Sequence, residues 1–99
     1  MKQPVLGEPE VIAALADEAG PRWHLIGGKL IKTVVCDGFV GALEFVGEVG
    51  RLAEEANHHP DIDIRYNRVL LGLVSHDAGG ITRRDGDMAG RIDKECETK

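Results

Sequence analysis

Residues 61–75 read Asp-Ile-Asp-Ile-Arg-Tyr-Asn-Arg-Val-Leu-Leu-Gly-Leu-Val-Ser. From 61 to 66 the alternation is strict, with Ile62, Ile64 and Tyr66 set against Asp61, Asp63 and Arg65. A period of two marks a strand with one buried face. A second apolar run, 69–75, follows Asn67-Arg68, so the stretch reads as a β-hairpin. With Asn67-Arg68 as a two-residue loop, Tyr66 pairs with Val69, Ile64 with Leu71 and Ile62 with Leu73. These six side chains share the expected core face, and Tyr66 is read as packing there. Carried outward, the same register sets His59 opposite His76 on the other face, with Cβ atoms about 4.5–5.5 Å apart.

Upstream, Pro60 opens the extended stretch and closes a helix expected at about 38–56. Phe39, Val40, Leu43, Val46, Val49, Leu52, Ala53 and Ala56 recur there at helical spacing, and Asp37 is placed to cap it. Gly41, Gly47 and Gly50 each weaken that helix by up to about 1 kcal/mol and are read as marks of close packing. Further back, 22–26 and 29–35 are apolar runs joined by Gly27-Gly28, the signature of a tight hairpin. Residues 8–19 are expected to form an amphipathic helix, with Pro9 suited to its first turn. Downstream, Asp77-Ala78-Gly79-Gly80 is a turn. Thr82 and Asp85 resemble a capping box that opens a last helix reaching about residue 95.

The order helix, hairpin, helix, hairpin, helix predicts an α+β fold, a four-stranded antiparallel sheet with helices packed on one face. With 99 residues, the chain (1–99) is expected to be a single domain. Its core is thin, so a homodimer or homotetramer is expected. A net charge of −5 argues against a nucleic-acid partner. No apolar run reaches the roughly 18 residues of a membrane span. The first residues lack a signal-like stretch, and Cys36 and Cys96 have no C-x-x-C spacing. A cytoplasmic protein is the expectation.

Three of the four histidines gather around the second hairpin: His58, His59 and His76. One reading makes them surface or capping residues. A second makes them a metal site, but adjacent histidines point apart on a strand and no carboxylate or cysteine stands at familiar ligand spacing. The third is acid–base chemistry without metal or other cofactor, since imidazole both gives and takes protons near neutrality. Glu54, four residues before His58, is placed to orient it. Asp85 reads first as a helix cap. His24 has no evident partner and reads as a surface residue, while Trp23 reads as a core or interface anchor.

The segment Glu54-Glu55-Ala56-Asn57-His58-His59-Pro60, then Tyr66, then Ser75-His76-Asp77-Ala78-Gly79-Gly80, then Asp85 resembles the signature of the pterin-4a-carbinolamine dehydratases. That pattern is an acid, three residues, His-His-Pro, an aromatic after five, a histidine after nine more and an aspartate eight beyond. Ile62 departs from it, because many relatives carry an aromatic soon after the proline.

The resemblance implies a cofactorless dehydratase acting on a 4a-hydroxytetrahydropterin made by an aromatic amino acid hydroxylase. It implies His58 and His76 as proton-transferring acids and His59 as the group that holds the pterin and stabilises charge. Backbone at His58, His59 and Pro60 and at Ser75, His76, Asp77 and Ala78 would edge the pterin ring, with Glu54 and Asp85 in support. It also implies an alternative, a dehydratase-like binding or assembly protein that acts as a dimerisation partner or chaperone.

Overall fold

The computed structural model describes residues 23–96. The helix expected at 8–19 lies outside the described residues. Within them run β1 (His24–Ile26), β2 (Lys29–Val35), α1 (Gly38–Ala56), β3 (Asp61–Arg65), β4 (Arg68–Leu73) and α2 (Arg83–Arg91). The expected last helix is α2 extended by one π-helical turn, Ile92–Cys96. The strands form one antiparallel sheet in the order β1-β2-β4-β3, so the two hairpins join through β2 and β4. The fold is α+β, as expected.

The first hairpin turns at Gly27-Gly28, with φ of 59° and 78°. Positive φ at both central residues is the pattern of the tight turn that suits twisted strands, and glycine adopts it without steric cost. The second hairpin departs from the expected register. Ile64 pairs with Val69, Ile62 with Leu71 and Arg65 with Arg68. Its loop is therefore Tyr66-Asn67, not Asn67-Arg68. The cause is the neighbouring strand: Val35 of β2 pairs with Arg68, and the Cys36 N–H donates to the Asn67 carbonyl at 2.7 Å. These bonds draw Arg68 into β4 and leave Tyr66 to turn the chain in the left-handed region, φ 53°. Tyr66 is 69% exposed and is not a core residue. The slip is two residues, so the faces keep their parity.

Val69, Leu71 and Leu73 of β4 and Leu30 of β2 face the helices and are buried. Against them α1 lays Ala42, Phe45, Val49 and Leu52, and α2 with its π turn adds Met88, Ala89, Ile92 and Cys96. Each fully buried Leu or Val contributes roughly 1.5–3 kcal/mol. Asp37 takes the N-cap position of α1, but its side chain makes no capping hydrogen bond. The opposite face of α1 leaves Phe39, Val40 and Leu43 exposed. Among the described residues, nothing lies within 4 Å of where a Cβ at Gly47 or Gly50 would sit, so those glycines do not mark a close contact there.

Trp23 is buried in this core, and its Nε1–H donates to both carboxylate oxygens of Asp93 at 3.1 Å. Lys32, also buried, places Nζ 2.5 Å from Asp93 and 5.6 Å from the Trp23 ring centre. The π turn thus fixes a buried polar knot on the helix side of the sheet. His24 is exposed, as expected. No helix among the described residues is long and apolar enough to cross a membrane.

Candidate active site

Helix α1 ends where Asn57 adopts the left-handed conformation, φ 52° and ψ 44°. The Asn57 N–H donates to the Glu54 carbonyl at 3.3 Å and the His58 N–H to the Ala53 carbonyl at 3.0 Å. This is the paired C-terminal closure in which a single left-handed residue reverses the chain, and Asn tolerates it better than most. The reversal separates two neighbouring side chains. His58 is carried inward and buried, 8% exposed, while His59 is carried outward.

Each histidine meets a different carboxylate. His58 Nε2 lies 2.7 Å from Asp85 Oδ1, and His59 Nε2 lies 2.6 Å from Glu54 Oε2. The expected Glu54–His58 pair is therefore not formed. It required α1 to persist to residue 58, whereas α1 stops at Ala56. The cross-strand pair of His59 and His76 is not formed by the ladder either, because β3 opens at Asp61 and β4 closes at Leu73. His58 belongs to the interior, not to a wet outer face.

Asp85 is completely buried. It is the cap expected from sequence: the Thr82 N–H donates to its Oδ2 at 2.8 Å, and the Arg84 N–H donates to Thr82 Oγ1 at 3.3 Å. It is also the partner of His58. Ser75 Oγ–H donates to Oδ2 at 2.8 Å, so the carboxylate accepts three hydrogen bonds. Ser75 Oγ and Thr82 Oγ1 stand 2.8 Å apart. The Ser75 hydrogen is committed to Asp85, so the Thr82 hydroxyl donates to Ser75. A carboxylate only accepts, so Nε2 of His58 carries the hydrogen and, in the neutral ring, Nδ1 carries the lone pair.

The loop that carries His76 is tied to the same helix terminus. Ser75 N–H donates to the Gly80 carbonyl at 3.1 Å, and the Ser75 carbonyl accepts from the N–H groups of Ala78, Gly79 and Gly80 at 3.0–3.3 Å. The Arg84 guanidinium bonds Asp77 at 2.5 Å. His76 and Asp77 are exposed, Pro60 and Ala78 half-buried, and Ser75 buried. The structure thus gathers His58, Ser75 and Asp85 into one network and joins His59 to Glu54. Thr82 and Arg84 were not foreseen as site residues. Thr82 offered a signal only as a cap, and Arg84 offered none. Among the described residues, no three His, Cys, Asp or Glu side chains group so as to hold a metal ion.

The profile of the family described as pterin 4 alpha carbinolamine dehydratase matches residues 4–95. A protein of Chloroflexus aurantiacus is 47% identical over 91 residues, covering 92% of this chain and 96% of its own length. One of Acidobacterium capsulatum is 53% identical over 73 residues, covering 74% and 79%. Both carry the provisional name pterin-4-alpha-carbinolamine dehydratase. Among solved structures, a transcriptional coactivator/pterin dehydratase from Brucella melitensis superposes with a TM-score of 0.83 at 27% identity, covering 94% of this chain and 99% of that one. With the matched profile spanning nearly the whole sequence, the chain belongs to the pterin 4 alpha carbinolamine dehydratase family.

Proposed function

We propose that the chain removes water from a 4a-hydroxytetrahydropterin by histidine acid–base catalysis. The carrying observation is the buried His58–Asp85 pair, 2.7 Å apart, with Asp85 held from behind by Ser75 and Thr82. In the reaction the C4a–O bond breaks and the departing hydroxyl takes a proton and leaves as water. N5 loses its proton, and a C4a=N5 double bond forms to give the quinonoid dihydropterin. The step is redox-neutral and asks only for placed proton donors and acceptors, which typically contribute about 10²–10⁴-fold.

His58 presents Nδ1 as its working nitrogen, and its Asp85 partner stabilises the imidazolium when Nδ1 is protonated. His76, on the tied-down loop, is the second proton-transferring group. His59, with Glu54 behind it, holds the pterin and stabilises developing charge. Backbone at 58–60 and 75–78 edges the ring. A hydroxylase that oxidises a tetrahydropterin is the class of enzyme that must supply this substrate, and the reading places the protein in the cytoplasm.

Assembly is part of the proposal. Val40, Leu43, Gly47 and Gly50 lie three or four residues apart on the open side of α1, an apolar and closely approachable stripe. We read it as the contact of a homodimer or homotetramer. The same stripe supports a second reading, a binding or assembly protein without catalysis, and the Brucella relative's name carries the word coactivator.

The test is stopped-flow dehydration of synthetic 4a-hydroxytetrahydropterin. The proposal expects a protein-dependent rate that saturates with substrate. A rate equal to that in buffer, from folded protein, favours the binding reading.

A further inference from the structure

We propose that Ser75 is a positioning residue for His58. It acts through Asp85 and makes no use of its own side chain on the substrate. The inference rests on the proposed dehydration.

The Ser75 hydroxyl is buried, and its hydrogen points at Asp85 Oδ2 from 2.8 Å. The Thr82 hydroxyl, 2.8 Å away, donates into Ser75 Oγ, so two hydroxyls in series converge on one carboxylate oxygen. Thr82 N–H occupies the same oxygen. With Oδ2 so engaged, Oδ1 is the oxygen left to face His58, which it meets at 2.7 Å. A carboxylate fixed on one side offers its partner a single acceptor direction. That direction selects the Nε2–H tautomer and aims the ring. Without the Ser75 hydrogen, Oδ2 keeps a single donor, Thr82 N–H; with it, two donors from different directions hold Oδ2 and so set the plane in which Oδ1 meets His58.

The backbone of Ser75 is engaged as well, closing the turn that follows through Gly80, Ala78 and Gly79. One residue therefore joins the buried dyad to the loop that carries His76, its direct neighbour in the chain.

The experiment compares wild type, Ser75→Ala, Ser75→Cys and Ser75→Thr by two readouts. Nitrogen-15 NMR of the His58 ring reports the tautomer, and steady-state dehydration of 4a-hydroxytetrahydropterin separates kcat from KM. Wild type is expected to hold neutral His58 in the Nε2–H form. Ser75→Ala is expected to spread His58 over both tautomers and to lower kcat by about tenfold, the low end for removing a hydrogen bond behind a reacting side chain, with KM unchanged. Ser75→Thr, which keeps the hydroxyl, is expected to restore both. If Ser75→Ala does not fold, Ser75→Cys carries the same test, because a thiol is a weak donor.

An unchanged His58 tautomer in the folded variant overturns the proposal. So does a loosened tautomer with unchanged kcat, because the hydroxyl then serves the fold alone. If wild type itself shows no dehydration, the functional reading fails, and the tautomer comparison still decides whether Ser75 positions His58.

Discussion

His58 and His59 are neighbours in the chain, yet their carboxylate pairs sit in opposite surroundings. In the His58–Asp85 pair the side chains are 9% and 0% exposed, and in the His59–Glu54 pair they are 56% and 79% exposed. The distances, 2.7 and 2.6 Å, hardly differ. Solvent decides what each is worth. An exposed ion pair contributes about 0–1 kcal/mol, because water competes for both partners. A hydrogen bond to a buried charged group contributes about 1.5–3 kcal/mol, and leaving its partner alone costs more. Distance is thus a poor guide to importance here, and burial with complete hydrogen bonding a good one.

The largest effect is expected at Asp85. Asp85→Ala strips the acceptor from His58, Ser75 and Thr82 together and removes a helix cap. It is expected to lower stability by about 3–5 kcal/mol in urea titration, unless water fills the gap. Leu71→Ala, on the core face of β4, is expected to cost a similar 2–5 kcal/mol. It differs in leaving dehydration by the surviving folded protein largely unchanged. A loss of activity in Leu71→Ala as deep as in Asp85→Ala would mean that Asp85 matters only for folding. At the exposed end, Glu54→Gln is expected to change stability by less than about 1 kcal/mol. A larger loss in the same titration would show that Glu54 holds more than His59. The smallest effect is expected from prolonged chelation. Dehydration should proceed at an unaltered rate, and activity that disappears with a bound metal and returns with it would contradict the metal-free reading.

Much of this contrast was legible in the sequence, and the illegible part has identifiable causes. The strands at the glycine hairpin and the 38–56 helix follow from periodicity and turn chemistry, and both appear where expected. Thr82 and Asp85 declared the capping box because that motif is local. The loop of the second hairpin was misplaced because local chemistry favours Asn over Tyr for a left-handed turn. The deciding bond, Cys36 N–H to Asn67 carbonyl, joins residues far apart in sequence. The slip kept Ile64, Val69, Leu71 and Leu73 on their expected face, left Ile62 at 38% exposure and put Tyr66 in the loop, and it removed the basis for pairing His59 with His76. Likewise, Asp85 was readable as a cap but not as the partner of His58, because that contact spans 27 residues and depends on the reversal at Asn57. The motif located the histidines, while their partners are a tertiary property.

In the proposed reaction His58, the buried member of the neighbouring pair, transfers protons and His59, the exposed member, holds substrate. Stopped-flow dehydration of 4a-hydroxytetrahydropterin by His58→Ala and His59→Ala, both checked for folding by circular dichroism, separates these two roles. His58→Ala is expected to lose about 10²-fold in kcat, as for a general acid–base group. His59→Ala should act mainly by raising KM. Wild-type turnover in folded His58→Ala, with the loss falling on His59→Ala instead, would contradict that assignment of roles.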